Sequence, residues 1–123
     1  MSINVTLYHN NRCSKSREAL AWLEEQGAAI KLIHYLDAPP DAAMLRQLYQ
    51  QLGLDLVRGM MRTKENIYAE LGLANESLSE DDLLAAIAAH PTLWERPLAV
   101  VDNQAAIGRP LNNIMALLNK KAT

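Results

Sequence analysis

Ile3-Asn4-Val5-Thr6-Leu7-Tyr8, the polar turn His9-Asn10-Asn11-Arg12, and Ala19, Leu20, Trp22 and Leu23 at helical spacing ahead of Gly27 and Ile30–Tyr35 decide the fold. The first run alternates as a strand does. The apolar residues between Ser16 and Gln26 recur with the period of a helix, and Gly27 supplies its stop. Ile30 to Tyr35 reads as a second strand. Strand, helix and strand within about thirty residues is the size of a βαβ unit with parallel strands.

Beyond this unit, Ala38-Pro39-Pro40-Asp41 punctuates the chain. Asp41 is suited to cap a helix through Met44, Leu45, Leu48, Tyr49 and Leu52 that stops near Gly53. Short helical segments are expected around 54–61 and 64–71. Ser79-Glu80-Asp81-Asp82 opens a further helix, with Ser79 as cap and acids in the first turn, which must end before His90-Pro91. Pro97 to Val101 is the most strand-like run of the second half. Asp102-Asn103 suits a two-residue turn with positive φ leading into a strand over 104–107. After Gly108-Arg109-Pro110, residues 111–118 make a last helix. The expected order is β-α-β, a helical block over about 41–90, then β-β-α, within one domain spanning 1–123.

Composition narrows the function. The chain has 123 residues, half of them apolar and none of them Phe, so aliphatic residues and Met must fill the core. Its formal charge is −2. Without a basic run it lacks the clustered Lys and Arg that nucleic-acid backbones require. No stretch approaches the ~20 apolar residues of a membrane span, and Met1-Ser2-Ile3-Asn4 does not open a signal peptide. A cytoplasmic protein with no nucleic-acid or membrane partner is expected. His34 and His90 have no Cys or acid partners at metal spacing, so no metal site is expected, and no bound cofactor.

The single cysteine, Cys13, lies between the first strand and first helix. Unpaired N–H groups at a helix start favour a thiolate. Arg12, Lys15 and Arg17 add positive charge nearby, and His9 would add more if protonated. Cys13-Ser14-Lys15-Ser16 is a C-x-x-S, in which a hydroxyl able to hydrogen-bond the thiolate replaces the second thiol of a redox pair. A buried, inert cysteine is the alternative, but structural cysteines sit in apolar surroundings. A phosphatase loop of the form C-x5-R is excluded, since position 19 is Ala19.

The string Tyr8-His9-Asn10-Asn11-Arg12-Cys13-Ser14-Lys15-Ser16-Arg17 resembles the Tyr-His-Asn-x-x-Cys-x-x-Ser-Arg motif of the glutaredoxin-coupled arsenate reductase family, in the thioredoxin-like superfamily. Further matches are Leu36 to Pro40, Met61-Arg62, Tyr68-Ala69-Glu70-Leu71-Gly72-Leu73-Ala74, His90-Pro91, Arg96-Pro97-Leu98-Ala99-Val100 and Arg109-Pro110. Ser14 and Lys15 stand where the better-studied members carry Gly and Thr, a departure that bears on substrate preference.

The resemblance implies an α/β fold: a thioredoxin-like mixed four-stranded sheet with a helical insertion between the βαβ and ββα halves. It implies that Cys13 is the nucleophile toward arsenate and that Arg62, Arg96 and Arg109 hold the oxyanion. His9 matches the histidine associated with lowering the cysteine pKa, and Ser16 and Arg17 stand beside the thiol, Arg17 as a further substrate-binding residue. Guanidinium forks suit a tetrahedral dianion of phosphate size. Glutathione as co-substrate and glutaredoxin as partner would deliver the electrons, in arsenic detoxification. The resemblance further implies a cis Arg96–Pro97 bond. The alternatives are a monothiol reductase or deglutathionylating protein acting on another thiol adduct, and a non-enzymatic regulator that binds RNA polymerase. The regulators use a C-x-x-C switch, which Ser16 removes.

Overall fold

The structure is a computed structural model that describes residues 3–122, so Met1, Ser2 and Thr123 of the expected domain span and N-terminus lie outside the described residues. The described chain forms two compact units. One is built from the segments up to Ala38 and from Arg96 onward, and the other from Pro39–Glu95.

In the first unit, β1 (Asn4–His9), α1 (Ser14–Glu25) and β2 (Ala29–His34) form the expected βαβ unit. β1 and β2 are parallel, in a register that sets His9 beside His34. Gly27, at φ 72°, takes the left-handed conformation that releases the chain from α1. β3 (Leu98–Val101) runs antiparallel to β1, and β4 (Gln104–Ile107) antiparallel to β3, giving the order β2-β1-β3-β4. Asp102, at φ 56°, makes the hairpin turn. The chain finishes in a C-terminal helix over Asn112–Ala122. This mixed four-stranded sheet with its flanking helices is the thioredoxin-like fold.

The core of this unit follows from the strand alternation. Val5 and Leu7 of β1 pack with Ala99 and Val101 of β3, Ala19 and Leu23 of α1, and Ile114, Leu117 and Leu118 of the last helix. Each fully buried aliphatic side chain contributes on the order of 1.5–3 kcal/mol. With β1 central and paired along both edges, its C-terminal end at His9 becomes a fixed point from which the Cys13 loop departs.

The second unit comprises α2 (Ala42–Leu52), α3 (Asn66–Glu70), α4 (Glu80–Ala89) and two short 3-10 turns, Val57–Met60 and Pro91–Leu93. The caps are those the sequence predicts. The Asp41 carboxylate accepts from the Met44 N–H at 2.8 Å, and Ser79 and Asp82 form a reciprocal capping box. Arg58 closes the segment beyond α3 by donating to the Leu73 and Asn75 carbonyls at 2.8 and 2.9 Å. Met61 bridges Trp94, while the Arg62 N–H donates to the Leu93 carbonyl and the Glu95 N–H to the Met60 carbonyl. That pairing fixes where Arg62 stands within its unit.

Candidate active site

The loop that joins β1 to α1 is closed by its own hydrogen bonds. The Cys13 N–H donates to the Asn10 carbonyl at 3.0 Å, the Arg12 N–H donates to Asn10 Oδ1 at 3.0 Å, and the Asn10 N–H donates to Ser16 Oγ at 3.4 Å. Asn and Asp commonly turn the chain in this way, because a short polar side chain substitutes for a backbone partner. The loop is also gripped from both sides. His9 Nε2 lies 2.6 Å from Asn11 Oδ1, and Arg17 Nη1 donates to the Asn11 carbonyl at 3.2 Å.

Cys13 is the N-cap residue of α1 and is 8% exposed. Its thiol makes no capping bond of standard geometry, yet the N–H groups of Ser16 and Lys15 face the sulfur and hydrogen-bond the thiolate. Burial pushes the thiol up. The Ser16 N–H, the Arg96 side chain, the Lys15 N–H and the Arg96 charge outweigh it and bring the thiol down from 9.0 to about 7. Arg109 Nη2 donates to Cys13 Sγ at 3.4 Å, across 96 residues of sequence. Arg109 Nε also donates to the Arg96 carbonyl at 2.6 Å, tying the two arginine segments together. Both Arg96–Pro97 and Arg109–Pro110 are cis; the first follows the family expectation, and the second was not expected from the sequence.

Arg96 and Arg109 therefore meet at Cys13. Arg62, in the helical unit, pairs through Nε with Glu65 at 3.1 Å and Glu95 at 3.8 Å. Arg17 is directed to the loop carbonyl of Asn11. Ser16 is fully buried; its hydroxyl oxygen accepts from the Asn10 N–H, and its backbone N–H, rather than the hydroxyl, serves the sulfur.

His9 would add positive charge only if protonated, and its surroundings act against that form. His9 is 1% exposed, and burial is the largest influence lowering its pKa; Asn11 opposes that, while His34 and Arg17 reinforce it. These surroundings disfavour the imidazolium, and the ring meets the loop at Asn11. Its ring meets that of His34 edge to face, with centroids 5.8 Å apart.

Two residues that sequence reasoning did not single out belong to the site. Asn10 is the hub of the loop. Tyr35 is fully buried, and its phenol interacts with Arg96, the Asn10 side chain, Cys13 and Arg109. Parallel register was the available signal: His34 lies beside His9, so the next residues, Tyr35 and Asn10, leave the sheet together. A cavity of about 310 Å³ opens beside the loop, lined by His9, Asn10, Asn11, Arg12, His34, Leu36 and Asp37. Among the described residues no group of three or more His, Cys, Asp or Glu is placed to hold a metal ion. No helix among them is long and apolar enough to cross a membrane.

A buried thiol held near neutrality beneath two guanidinium groups can attack a tetrahedral oxyanion while its charge is neutralised. Known proteins are similar to this chain in sequence and fold. An arsenate reductase of Neisseria meningitidis serogroup A is 53% identical over 114 residues, 93% of this chain and 97% of that one. An Escherichia coli arsenate reductase is 34% identical over 115 residues, 94% and 81% of the two chains. The solved structure of an arsenate reductase from Vibrio cholerae superposes with a TM-score of 0.92 at 51% identity, covering 94% of this chain and 98% of that one. The model of the ArsC family matches residues 8–117. By that match and these identities, the chain belongs to the ArsC family.

Proposed function

We propose that the protein reduces arsenate to arsenite through Cys13, with glutathione and glutaredoxin as electron donors. The observation that carries the reading is the convergence of Arg96 and Arg109 on a thiol whose pKa is near 7. Relatives named arsenate reductase, one of them 53% identical, point to the substrate.

The Cys13 thiolate attacks arsenic(V), forming a sulfur–arsenic bond. One arsenate oxygen takes up protons and leaves as water. Arg96 and Arg109 hold the remaining oxygens and offset the charge that would repel an anionic nucleophile. Glutathione then joins the adduct. Two electrons pass from the two sulfurs to arsenic as a disulfide forms between Cys13 and glutathione, and arsenic(III) departs as arsenite. Cys13 is the chain's one cysteine, so the mixed disulfide needs an external thiol. In this reading a glutaredoxin thiol attacks the glutathione sulfur and frees the Cys13 thiolate. Arg62 has the family role of a third oxyanion guanidinium, tested by Arg62→Ala.

The test is a coupled assay with arsenate and glutathione, run with glutaredoxin, with thioredoxin and with neither. Turnover with glutaredoxin alone, abolished in Cys13→Ser, is expected. Turnover supported equally by thioredoxin overturns the donor assignment. Absence of arsenite in every arm, from folded protein, overturns the reaction.

A further inference from the structure

Arg62 is held within the second unit by side chains as well as by its own backbone. Its N–H donates to the Leu93 carbonyl, and Met61 before it bridges Trp94, the neighbour of Glu95. Three residues on, the Glu65 N–H donates back to the Arg62 carbonyl at 3.1 Å. The Glu65 side chain makes the same return: Oε1 stands 3.1 Å from Arg62 Nε, and Glu95 Oε1 stands 3.8 Å from the same nitrogen. Glu65 occupies the N-cap position of α3 yet makes no side-chain cap bond. Ser, Thr, Asp and Asn are the residues that cap well, so this carboxylate serves Arg62 rather than the helix.

A guanidinium has two usable edges: Nε shares one with Nη2, and Nη1 shares the other, at the end of the side chain. The carboxylates stand at Nε. Nη1 is buried and has no hydrogen-bond partner among the described residues, a state that costs free energy for an N–H donor. We propose that Glu65 is a positioning residue for Arg62: its carboxylate holds the guanidinium by Nε and leaves the Nη1 end to take an oxyanion oxygen, with Glu95 as a second, longer support. The proposal rests on Arg62 being an oxyanion ligand and adds what orients it. A free arginine loses rotamer freedom when it grips an anion, and one already held loses less. The side chains of Arg62, Glu65 and Glu95 are 26%, 33% and 28% exposed, so these pairs are screened less than pairs in open solvent.

The experiment needs no arsenate turnover. It measures the concentration of inorganic phosphate that halves the rate of Cys13 alkylation by iodoacetamide, in wild type, Glu65→Ala, Arg62→Ala and the double variant, with folding followed by circular dichroism. Glu65→Ala removes a negative charge, which by itself would tighten phosphate binding. Positioning gives the opposite sign: the concentration should rise about two- to tenfold, the size of ordering one rotamer-rich side chain, with Glu65→Gln in between. Arg62→Ala should raise it roughly tenfold or more, and adding Glu65→Ala to that variant should weaken binding no further, because Glu65 acts through Arg62. A folded Glu65→Ala with unchanged or tighter phosphate binding, beside a weakened Arg62→Ala, overturns the proposal and leaves the role of Arg62 standing. A further loss in the double variant also overturns it, since Glu65 would then act without Arg62. An Arg62→Ala protein that binds phosphate as wild type does, or a wild type that phosphate does not protect, removes the oxyanion role of Arg62 and the proposal with it. Should Glu65→Ala fail to fold, Glu65→Gln decides: weaker phosphate binding supports positioning, and unchanged or tighter binding refutes it.

Discussion

Replacing Arg96 by Ala removes two of the influences that hold the Cys13 thiol near 7, a hydrogen bond and a positive charge, while leaving the Ser16 and Lys15 N–H groups in place. An adjacent opposite charge shifts a pKa by about 1–3 units. Taking the lower end, the thiol rises to roughly 8, and its ionised fraction at pH 7 falls from about a half to about a tenth. The remaining thiolate is somewhat more nucleophilic, because basicity and nucleophilicity rise together with a coefficient of about 0.4–0.5. That returns about threefold of the fivefold loss, so alkylation at pH 7 changes little while its midpoint moves by a full unit. The midpoint, not the rate at one pH, is the quantity to measure.

Arsenate turnover should fall much further than alkylation, since the guanidinium also binds the oxyanion. A hydrogen bond to a charged group contributes about 1.5–3 kcal/mol, which is roughly 10- to 150-fold in affinity. Arg96→Lys should restore most of the charge effect on the thiol and only part of the arsenate kcat/KM, because an ammonium cannot form the planar fork. The assays are iodoacetamide alkylation from pH 5 to 10 and arsenite formation at sub-saturating arsenate. A folded Arg96→Ala protein that keeps a midpoint near 7 and wild-type kcat/KM would refute the assignment.

Removal of the second guanidinium in Arg109→Ala should also weaken oxyanion binding by roughly 10-fold or more, read as the arsenate KM. Because the folded Cys13 pKa lies below its ordinary value, the thiolate stabilises the fold fully above pH 9 and loses that contribution as pH falls through about 7. The stability gap between wild type and Cys13→Ser, from urea unfolding, should therefore widen by up to roughly 3 kcal/mol from pH 6 to pH 9.5. Asp41→Ala should cost about 1 kcal/mol of stability with no change in thiol midpoint, since it removes only the α2 cap. Gly108→Ala should destabilise by about 1–3 kcal/mol in the same unfolding experiment, because its new Cβ would stand 2.7 Å from Ile114 Cδ1 and 3.0 Å from Pro97 Cγ.

The parts of the fold legible in the sequence are those written by local rules. The alternation of β1, the period of α1, the Asp41 cap, the Ser79 box and the Asp102 turn each depend on a few neighbouring residues, and each stands where expected. The thiol's loop was legible for the same reason. Boundaries were less so: β2 runs over Ala29–His34 rather than Ile30–Tyr35. The burial of His9 was not legible, since nothing in His9-Asn10-Asn11 announces that the ring ends 1% exposed. Ser16 was half read: its position mattered, but through its N–H, a group every residue but proline carries. Tyr35 and Asn10 were missed because their meeting depends on strand register, which the sequence specifies only through the completed sheet.

These long-range effects converge on the opposing demands of one sulfur. A nucleophile for an oxyanion must be shielded enough to exclude water, yet shielding raises the pKa and empties the thiolate. Burial is the largest single influence on Cys13, and it works against the chemistry. The fold answers with partners that need no mobile charge: N–H groups from the first turn of α1, and two arginines delivered from either end of the β3–β4 hairpin, Arg96 just ahead of β3 and Arg109 just after β4. Both arginines thereby hang from one rigid hairpin paired directly to β1, the strand that delivers the loop. Sulfur and guanidinium groups are thus referred to the same sheet, which is why residues 96 positions apart can be held at 3.4 Å. A histidine beside the sulfur could have supplied charge only by paying for its own desolvation. Here burial disfavours the charged form of His9, whose ring meets the loop at Asn11, and the guanidinium groups of Arg96 and Arg109 stand at the sulfur instead.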